Sequence, residues 1–192
     1  MSSKCIILLL SIYIWCSVEV TNSLMDYCWR PFTGIAPQDA FTVGKTQSGQ
    51  NIYIGQVAIR LHPGVYPAPL FIGEHVVASK DGPKPAWNFV QILCTQSPEK
   101  FVWIDRSKTD AHILPSNVHP VIGGTENGQL LYIGKIHFQG QTIIGKILSG
   151  NIGDAIMYYV YNNSERAVHS YQILTYTENY EKYRNLQFTD HS

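Results

Sequence analysis

The chain reads as all-β, two tandem pseudo-symmetric repeats of short antiparallel strands forming a sandwich or barrel-like module. Three observations carry this. First, Gly44-Lys45-Thr46-Gln47-Ser48-Gly49-Gln50-Asn51-Ile52-Tyr53-Ile54-Gly55 recurs as Gly123-Gly124-Thr125-Glu126-Asn127-Gly128-Gln129-Leu130-Leu131-Tyr132-Ile133-Gly134, an offset of 79 residues from Gly49 to Gly128. The offset is 81 residues from Gly64 to Gly145 and holds through Val90-Gln91-Ile92-Leu93 against Tyr171-Gln172-Ile173-Leu174, so one supersecondary unit is used twice. Second, the strongest apolar segments alternate with period two and are rich in β-branched and aromatic residues. Third, Ser48-Gly49 and Asn127-Gly128 precede the two strongest strands, and Asn-Gly is a hairpin signal because both turn positions tolerate positive φ.

The elements follow in order. Residues 52–59 and 130–138 are the central strands, with Tyr53, Gly55, Val57 and Ile59 on one face and Tyr132, Gly134, Ile136 and Phe138 on its counterpart, both expected to face the core. Further strands are predicted over 41–43, 69–72, 75–78, 88–93, 101–104, 142–148, 155–161 and 169–176. The first repeat then spans 27–100, joined through the polar stretch 95–100 to a second repeat over 101–176. A polar tail, 177–192, follows, with room for one helical turn around 180–186.

Ahead of the repeats, Lys4 precedes an apolar run from Cys5 to Cys16 that is too short to cross a bilayer and gives way to Val20-Thr21-Asn22-Ser23. Residues 1–23 are read as a signal peptide, and the mature protein as secreted with no membrane span. Without that segment the chain keeps 13 basic and 13 acidic side chains of the original 14 of each, since Lys4 and Glu19 leave with it. A neutral chain without a basic run lacks the counterion-releasing surface that nucleic acid requires, so that partner is excluded. In an oxidising compartment Cys28 and Cys94, the remaining cysteines, are read as a disulfide, the alternative being two free buried thiols. Asn162-Asn163-Ser164 is a glycosylation sequon in a predicted surface loop.

The motifs of catalysis are missing. No Gly-x-Ser-x-Gly, His-Glu-x-x-His or phosphate-cradling Gly-x-x-x-x-Gly-Lys occurs, and no Gly-x-Gly-x-x-Gly follows a strand to bind a cofactor. The seven histidines are dispersed, with none spaced to present a pair to a metal. The reading is therefore no enzyme, no cofactor and no metal site. Trp87, Trp103 and the run Tyr158-Tyr159-Val160-Tyr161 are available to stack on sugar rings, although most aromatics are expected in the core.

The order Trp29, Tyr53-Ile54-Gly55, Pro63-Gly64, then Trp103, Tyr132-Ile133-Gly134, Gly145-Lys146 and Tyr171-Gln172-Ile173-Leu174 resembles the DM-nine repeat of invertebrate proteins. That resemblance covers about residues 27–176. It implies a tandem all-β fold and a mannose-type lectin activity, and the same module precedes a pore-forming domain in natterin-like proteins. In lectin members an acid two places after the opening glycine and the lysine of a Pro-Gly-Lys turn meet the sugar, a carboxylate accepting from vicinal hydroxyls while an ammonium donates to them. Here Lys146 matches the lysine, Thr125 occupies the acidic place and Glu126 follows it. In the first repeat the two places are Thr46 and Val65, so that copy reads as scaffold. The function expected is glycan binding by Lys146, Glu126 and Thr125, in immune recognition or in a secretion such as venom or saliva, in a chain that could pair as a homodimer. The alternative is a secreted structural or toxin-associated protein that keeps the fold without the sugar site. A farnesoic-acid methyltransferase activity, a label some relatives carry, is disfavoured by the missing cofactor loop.

Overall fold

The computed structural model describes residues 27–177, so the expected signal peptide and all of the tail but Thr177 lie outside the described residues. The described residues form fifteen strands, joined by hairpin turns and by longer connections over 32–41, 71–76 and 108–117, with a 3-10 turn, Pro98–Lys100, between the copies. The first copy holds β1 (Tyr27–Pro31), β2 (Thr42–Lys45), β3 (Asn51–Ile59), β4 (His62–Leu70), β5 (Val77–Ser79), β6 (Pro83–Pro85) and β7 (Val90–Thr95). The second holds β8 (Phe101–Ser107), β9 (Val118–Pro120), β10 (Ile122–Glu126), β11 (Gln129–Phe138), β12 (Gln141–Leu148), β13 (Met157–Tyr161), β14 (Ser164–Val168) and β15 (Ser170–Thr177).

The duplication is visible in the pairing. In each copy the central strand hydrogen-bonds its predecessor, its successor and the closing strand, and the opening strand pairs antiparallel with the closing one. Trp29 opposes Leu93 as Trp103 opposes Leu174. Even the irregularity is copied: the β2–β3 register slips between Thr42 and Gly44, and the β10–β11 register slips between Ile122 and Gly124, with φ of 154° and 155° at the two glycines. One added residue kinks each strand in the same place.

Burial divides into three main layers. Ile52, Ile54, Phe41 and Leu93 of the first copy meet Ile133, Ile144, Val121, Phe101 and Leu174 of the second in a central core. On its far side each copy closes a core of its own, around Val57, Tyr66, Leu70 and Ile92 in the first and around Ile147, Met157, Tyr171 and Ile173 in the second. The start of β3 is therefore buried on both faces, with Ile52 and Ile54 as covered as Tyr53 and Val57. On β11 the expected core face fades towards the hairpin: Gly134 is buried, Tyr132 and Ile136 are half-buried, and Phe138 is exposed, its ring edge-on to Tyr161. The hairpin end projects past the sheet that would have covered it.

Strand β4 departs most from the sequence expectation, which placed only 69–72 in a strand there. Its three prolines argue against a ladder position, since proline has no N–H to donate. The structure resolves this through the neighbours of β4. Strand β3 flanks it along most of its length, but β10 pairs only with Gly64 and Val65, which leaves Pro67 and Pro69 an open edge for their missing donors. Strands β1, β6, β9, β10 and β14 were also not anticipated; each is short, and β10 carries two glycines, Gly123 and Gly124, among its five residues.

The pairing of β4 with β10 joins the two copies into one continuous sheet, Thr125 opposite Val65 and Glu126 opposite Gly64. Two glycines permit the approach. A Cβ on Gly124 would lie 1.9 Å from the Val65 carbonyl oxygen, and one on Gly64 would lie 2.2 Å from the Thr125 carbonyl oxygen. The same bulge at Gly44 faces open space. The seam thus forms on one side only. Gly124→Ala is expected to cost about 3 kcal/mol or more, combining backbone strain with loss of the seam, whereas Gly44→Ala bears only the strain of about 1–2 kcal/mol. Chemical denaturation of the two variants measures the difference, and equal losses would show that the seam contributes nothing.

Candidate functional site

The seam delivers Glu126 to the side chain that the sequence paired it with. Glu126 ends β10, immediately before the Asn127-Gly128 turn, whose φ values of 50° and 80° suit a tight hairpin. Lys146 sits in the middle of β12, opposite Ile133 on one side and Tyr158 on the other. Its ammonium donates to Glu126 Oε2, 5.4 Å from the centre of the Tyr66 ring and 5.8 Å from that of Tyr158. A cation held between two aromatic faces and a carboxylate is favourably placed, because ring quadrupole and counter-charge both stabilise it. Lys146 is only 3% exposed, so it is a buried cation and not a solvated turn lysine.

Residues that the sequence reading missed complete the cluster. Lys80, in the turn between β5 and β6 of the first copy, places its Nζ 3.2 Å from Glu126 Oε1 and 2.5 Å from Asp81 Oδ2. Glu126 thus bridges a lysine from each copy. The hydrogen bond to Asp81 holds Lys80 above the ordinary lysine range, and the same bond holds the Asp81 carboxyl below the carboxylate range. The β5–β6 hairpin is pinned in turn by Glu165 on β14, whose carboxylate accepts from Ser79 Oγ and from the Gly82 N–H at 2.8 Å. Tyr66 donates to the Pro63 carbonyl at 3.0 Å, and burial together with the charge on Glu126 raises its phenol pKa. No sequence signal marks Lys80 or Glu165, because the contacts that recruit them lie 46 and more than 80 positions away.

Thr125 does not join the cluster. Its backbone is committed to Val65 on one side and Leu130 on the other, and no side-chain bond links it to Lys146. Beside the cluster lies a cleft of about 220 Å³ lined by Glu126, Asn127, Gln129, Leu130, Leu131, Leu148 and Asn151. Glu126 therefore has a dry side, against the lysines, and an open side with amide groups around it.

The counterpart in the first copy is chemically different. By strand register Thr46, closing on Gln50, stands where Glu126 stands, and Pro69, opposite Ile54, stands where Lys146 stands opposite Ile133, so the counterpart of Lys146 is not the Val65 that the sequence matched to it. Thr46 is spent on its own turn, its hydroxyl meeting Ser48 Oγ at 2.8 Å and accepting the Gln50 N–H at 3.1 Å. A cleft of about 330 Å³ lies there, lined by Gln47, Ser48, Phe71, Gln141 and Thr142 among others, with Lys45 its one charged residue.

Of the remaining expectations, Cys28 and Cys94 are direct partners across β1 and β7, with Cys94 buried, Cys28 exposed and both thiols free. Burial and then the charge on Asp39 push the Cys94 thiol up to about 11, which makes it a poor nucleophile. Asn162 and Asn163 form the exposed β13–β14 turn with φ of 49° and 52°. Trp87 is exposed under Arg60, and Trp103 lies under Lys135. Among the described residues no three His, Cys, Asp or Glu side chains converge as metal ligands, and no helix is long and apolar enough to cross a membrane.

No curated protein matches the chain. A family model, however, matches residues 60–168, a stretch that runs from the β3–β4 turn through the seam and the Lys146 cluster to the end of β14. By that match, and by the paired architecture just described, the chain belongs to the DM9 repeat family.

Proposed function

We propose that the protein is a secreted, non-enzymatic glycan-binding protein whose site is the Glu126 cleft. One observation carries this reading: a buried carboxylate, fixed by Lys146 and Lys80 on its inner side, borders an open cleft furnished with Asn127, Gln129 and Asn151. A carboxylate so held is fixed in place to accept from paired hydroxyls, while the amides both donate and accept. This is the chemistry of polyol recognition, and mannose-type sugars with vicinal hydroxyls fit it. Lys146 contributes by holding the carboxylate from its buried side. The first copy, with the uncharged Thr46 and Pro69 at the matching places, supplies its side of the seam and Lys80.

A second reading, a secreted structural or toxin-associated protein without a sugar site, is favoured by the near-complete burial of Lys146. In that case Glu126 serves only to tie Lys80 of the first copy to Lys146 of the second. The two readings part on binding. Lys146→Ala is expected to abolish calorimetric binding of mannose-type oligosaccharides, because a weak sugar site cannot lose a charge-assisted bond of about 1.5–3 kcal/mol. Glu126→Gln, which leaves Lys146 buried without its counter-charge, is expected to weaken binding at least tenfold and to lower the thermal midpoint at least as far as Lys146→Ala does, since there Glu126 keeps Lys80. Val65→Ala retains binding. Wild-type protein that binds no member of a mannose-containing glycan array, or variants that bind as wild type does, would leave the structural reading standing.

Secretion also bears on the cysteines. Direct antiparallel partners lie about 4.5–5.5 Å apart at Cα, within the span a disulfide bridges. Oxidation would tie β1, an edge strand, to β7 and constrain a long loop in the unfolded chain by about 4 kcal/mol in the entropy model. Mass spectrometry of the native secreted protein is expected to show a gain of two hydrogens on reduction, with Asn162 carrying a glycan in eukaryotic expression. Two thiols that alkylate without reductant would contradict the bridge.

A further inference from the structure

A second polar cleft lies on the sheet of the second copy, remote in sequence from Glu126. Three neighbouring strands carry it in one row: Lys135 on β11 opposes Gln172 on β15, which opposes Asp105 on β8. Directly opposed residues in antiparallel strands project from the same face, so these three side chains share one surface. With Arg106, His137 and Ser170 they line a cleft of about 310 Å³.

Lys135 is the unusual member. Its ammonium lies 4.3 Å from the centre of the Trp103 ring, and burial lowers its pKa, with Asp105 only partly opposing the shift. Among the described residues no hydrogen bond or ion pair reaches it. Lys135 and Asp105 flank β15 two inter-strand spacings apart, roughly 9–10 Å between backbones, and no bond joins their side chains. A half-buried cation without a bonded acceptor is costly, and folding alone gives no reason to keep it.

The duplicated fold supplies its own control. In the first copy the matching row is Gln56, Gln91 and Pro31, held in the same register. It contains no charge, and the Gln56 amide is consumed by the Gly123 carbonyl at 3.0 Å. The architecture is thus satisfied by glutamine at this place. Charge at Lys135 belongs to the second copy alone, and it faces a cleft instead of a neighbouring strand.

We propose that this cleft binds the acidic group of a glycan, a carboxylate or a sulfate ester, separately from the Glu126 site. The anion completes the coordination of Lys135, Arg106 at the rim adds positive field, and sugar hydroxyls meet the Gln172 amide and the Asp105 carboxylate. Arg106 already donates to the Ile113 carbonyl at 3.0 Å and to the Asp105 carbonyl at 2.7 Å, which fixes its guanidinium at the edge.

Calorimetry on the full mature chain tests this with three probes of equal length: an oligogalacturonate, a sulfated oligosaccharide and a neutral oligosaccharide. The acidic probes are expected to bind at low salt and to lose at least about tenfold in affinity in Lys135→Gln, the side chain the first copy already carries at this place. Asp105→Asn is expected to tighten acidic probes severalfold by removing a like charge, and Lys146→Ala to leave them unchanged. The tighter of the carboxylate and sulfate probes identifies the natural group. Equal binding by wild type and Lys135→Gln, equal binding of neutral and acidic probes, or loss of acidic-probe binding in Lys146→Ala would overturn the proposal.

Discussion

The cluster around Glu126 depends on two backbones touching. Strands β4 and β10 meet only because Gly64 and Gly124 have no side chains at the point of approach, where a single Cβ would stand at 2.2 or 1.9 Å from a carbonyl oxygen. That contact turns two small sheets into one and brings Glu126, from the second copy, to Lys80, from the first. Without it the central core of Ile52, Ile54, Ile133 and Ile144 would still favour association of the copies, since apolar burial is not directional. The core alone would not set the register. The seam does, and with register comes the position of a carboxylate to within hydrogen-bonding distance of two ammonium groups.

Duplication sets up a symmetric problem that this chain solves asymmetrically. Both copies keep the glycine bulge, at Gly44 and at Gly124, with the same backbone angle and the same slip in register. Only the second bulge is pressed against a neighbouring strand; at the first, open space adjoins a neutral cleft. The charged residues follow the same division. Glu126, Lys146 and Lys135 of the second copy correspond by strand register to Thr46, Pro69 and Gln56 of the first, so each charged place has a neutral partner that the fold accepts. A shared architecture that tolerates either chemistry argues that charge at these three places reflects what the second copy does, and not what folding demands.

Much of this was legible in the sequence because it is written locally. The recurrence of Tyr-Ile-Gly at Tyr53 and Tyr132, the turn residues before it and the alternation after it report strand, hairpin and duplication within a dozen residues. Glu126 and Lys146 were legible together through a family pattern, and the hairpin at Asn127-Gly128 is what lets Glu126 reach although Thr125 holds the expected place. Strand β4 was not legible, because its prolines are compatible with a sheet only where the neighbouring strand stops, and where β10 stops is a tertiary fact. Lys80 was invisible for a related reason. Nothing near it in sequence distinguishes it from a solvated lysine; its role comes from Glu165 fixing the hairpin that carries it.

The two faces also differ in how their charge is balanced, and this decides what each can recognise. At Glu126 two cations share one buried carboxylate, with Asp81 as outer partner, so the inner cluster is neutral and offers a polar surface without a strong field. Neutral hydroxyls suit such a surface, since they exchange hydrogen bonds without requiring either ion to be stripped of its partner. Around Lys135 the nearest acid is held off by the width of a strand, and the aromatic ring beneath the ammonium stabilises it without neutralising it. A neutral ligand would leave that cation as poorly solvated as it found it, whereas an anion would replace lost hydration with a charge-assisted bond. The two lysines thus differ in whether a carboxylate is bonded to the ammonium or stands one strand away without a bond to it.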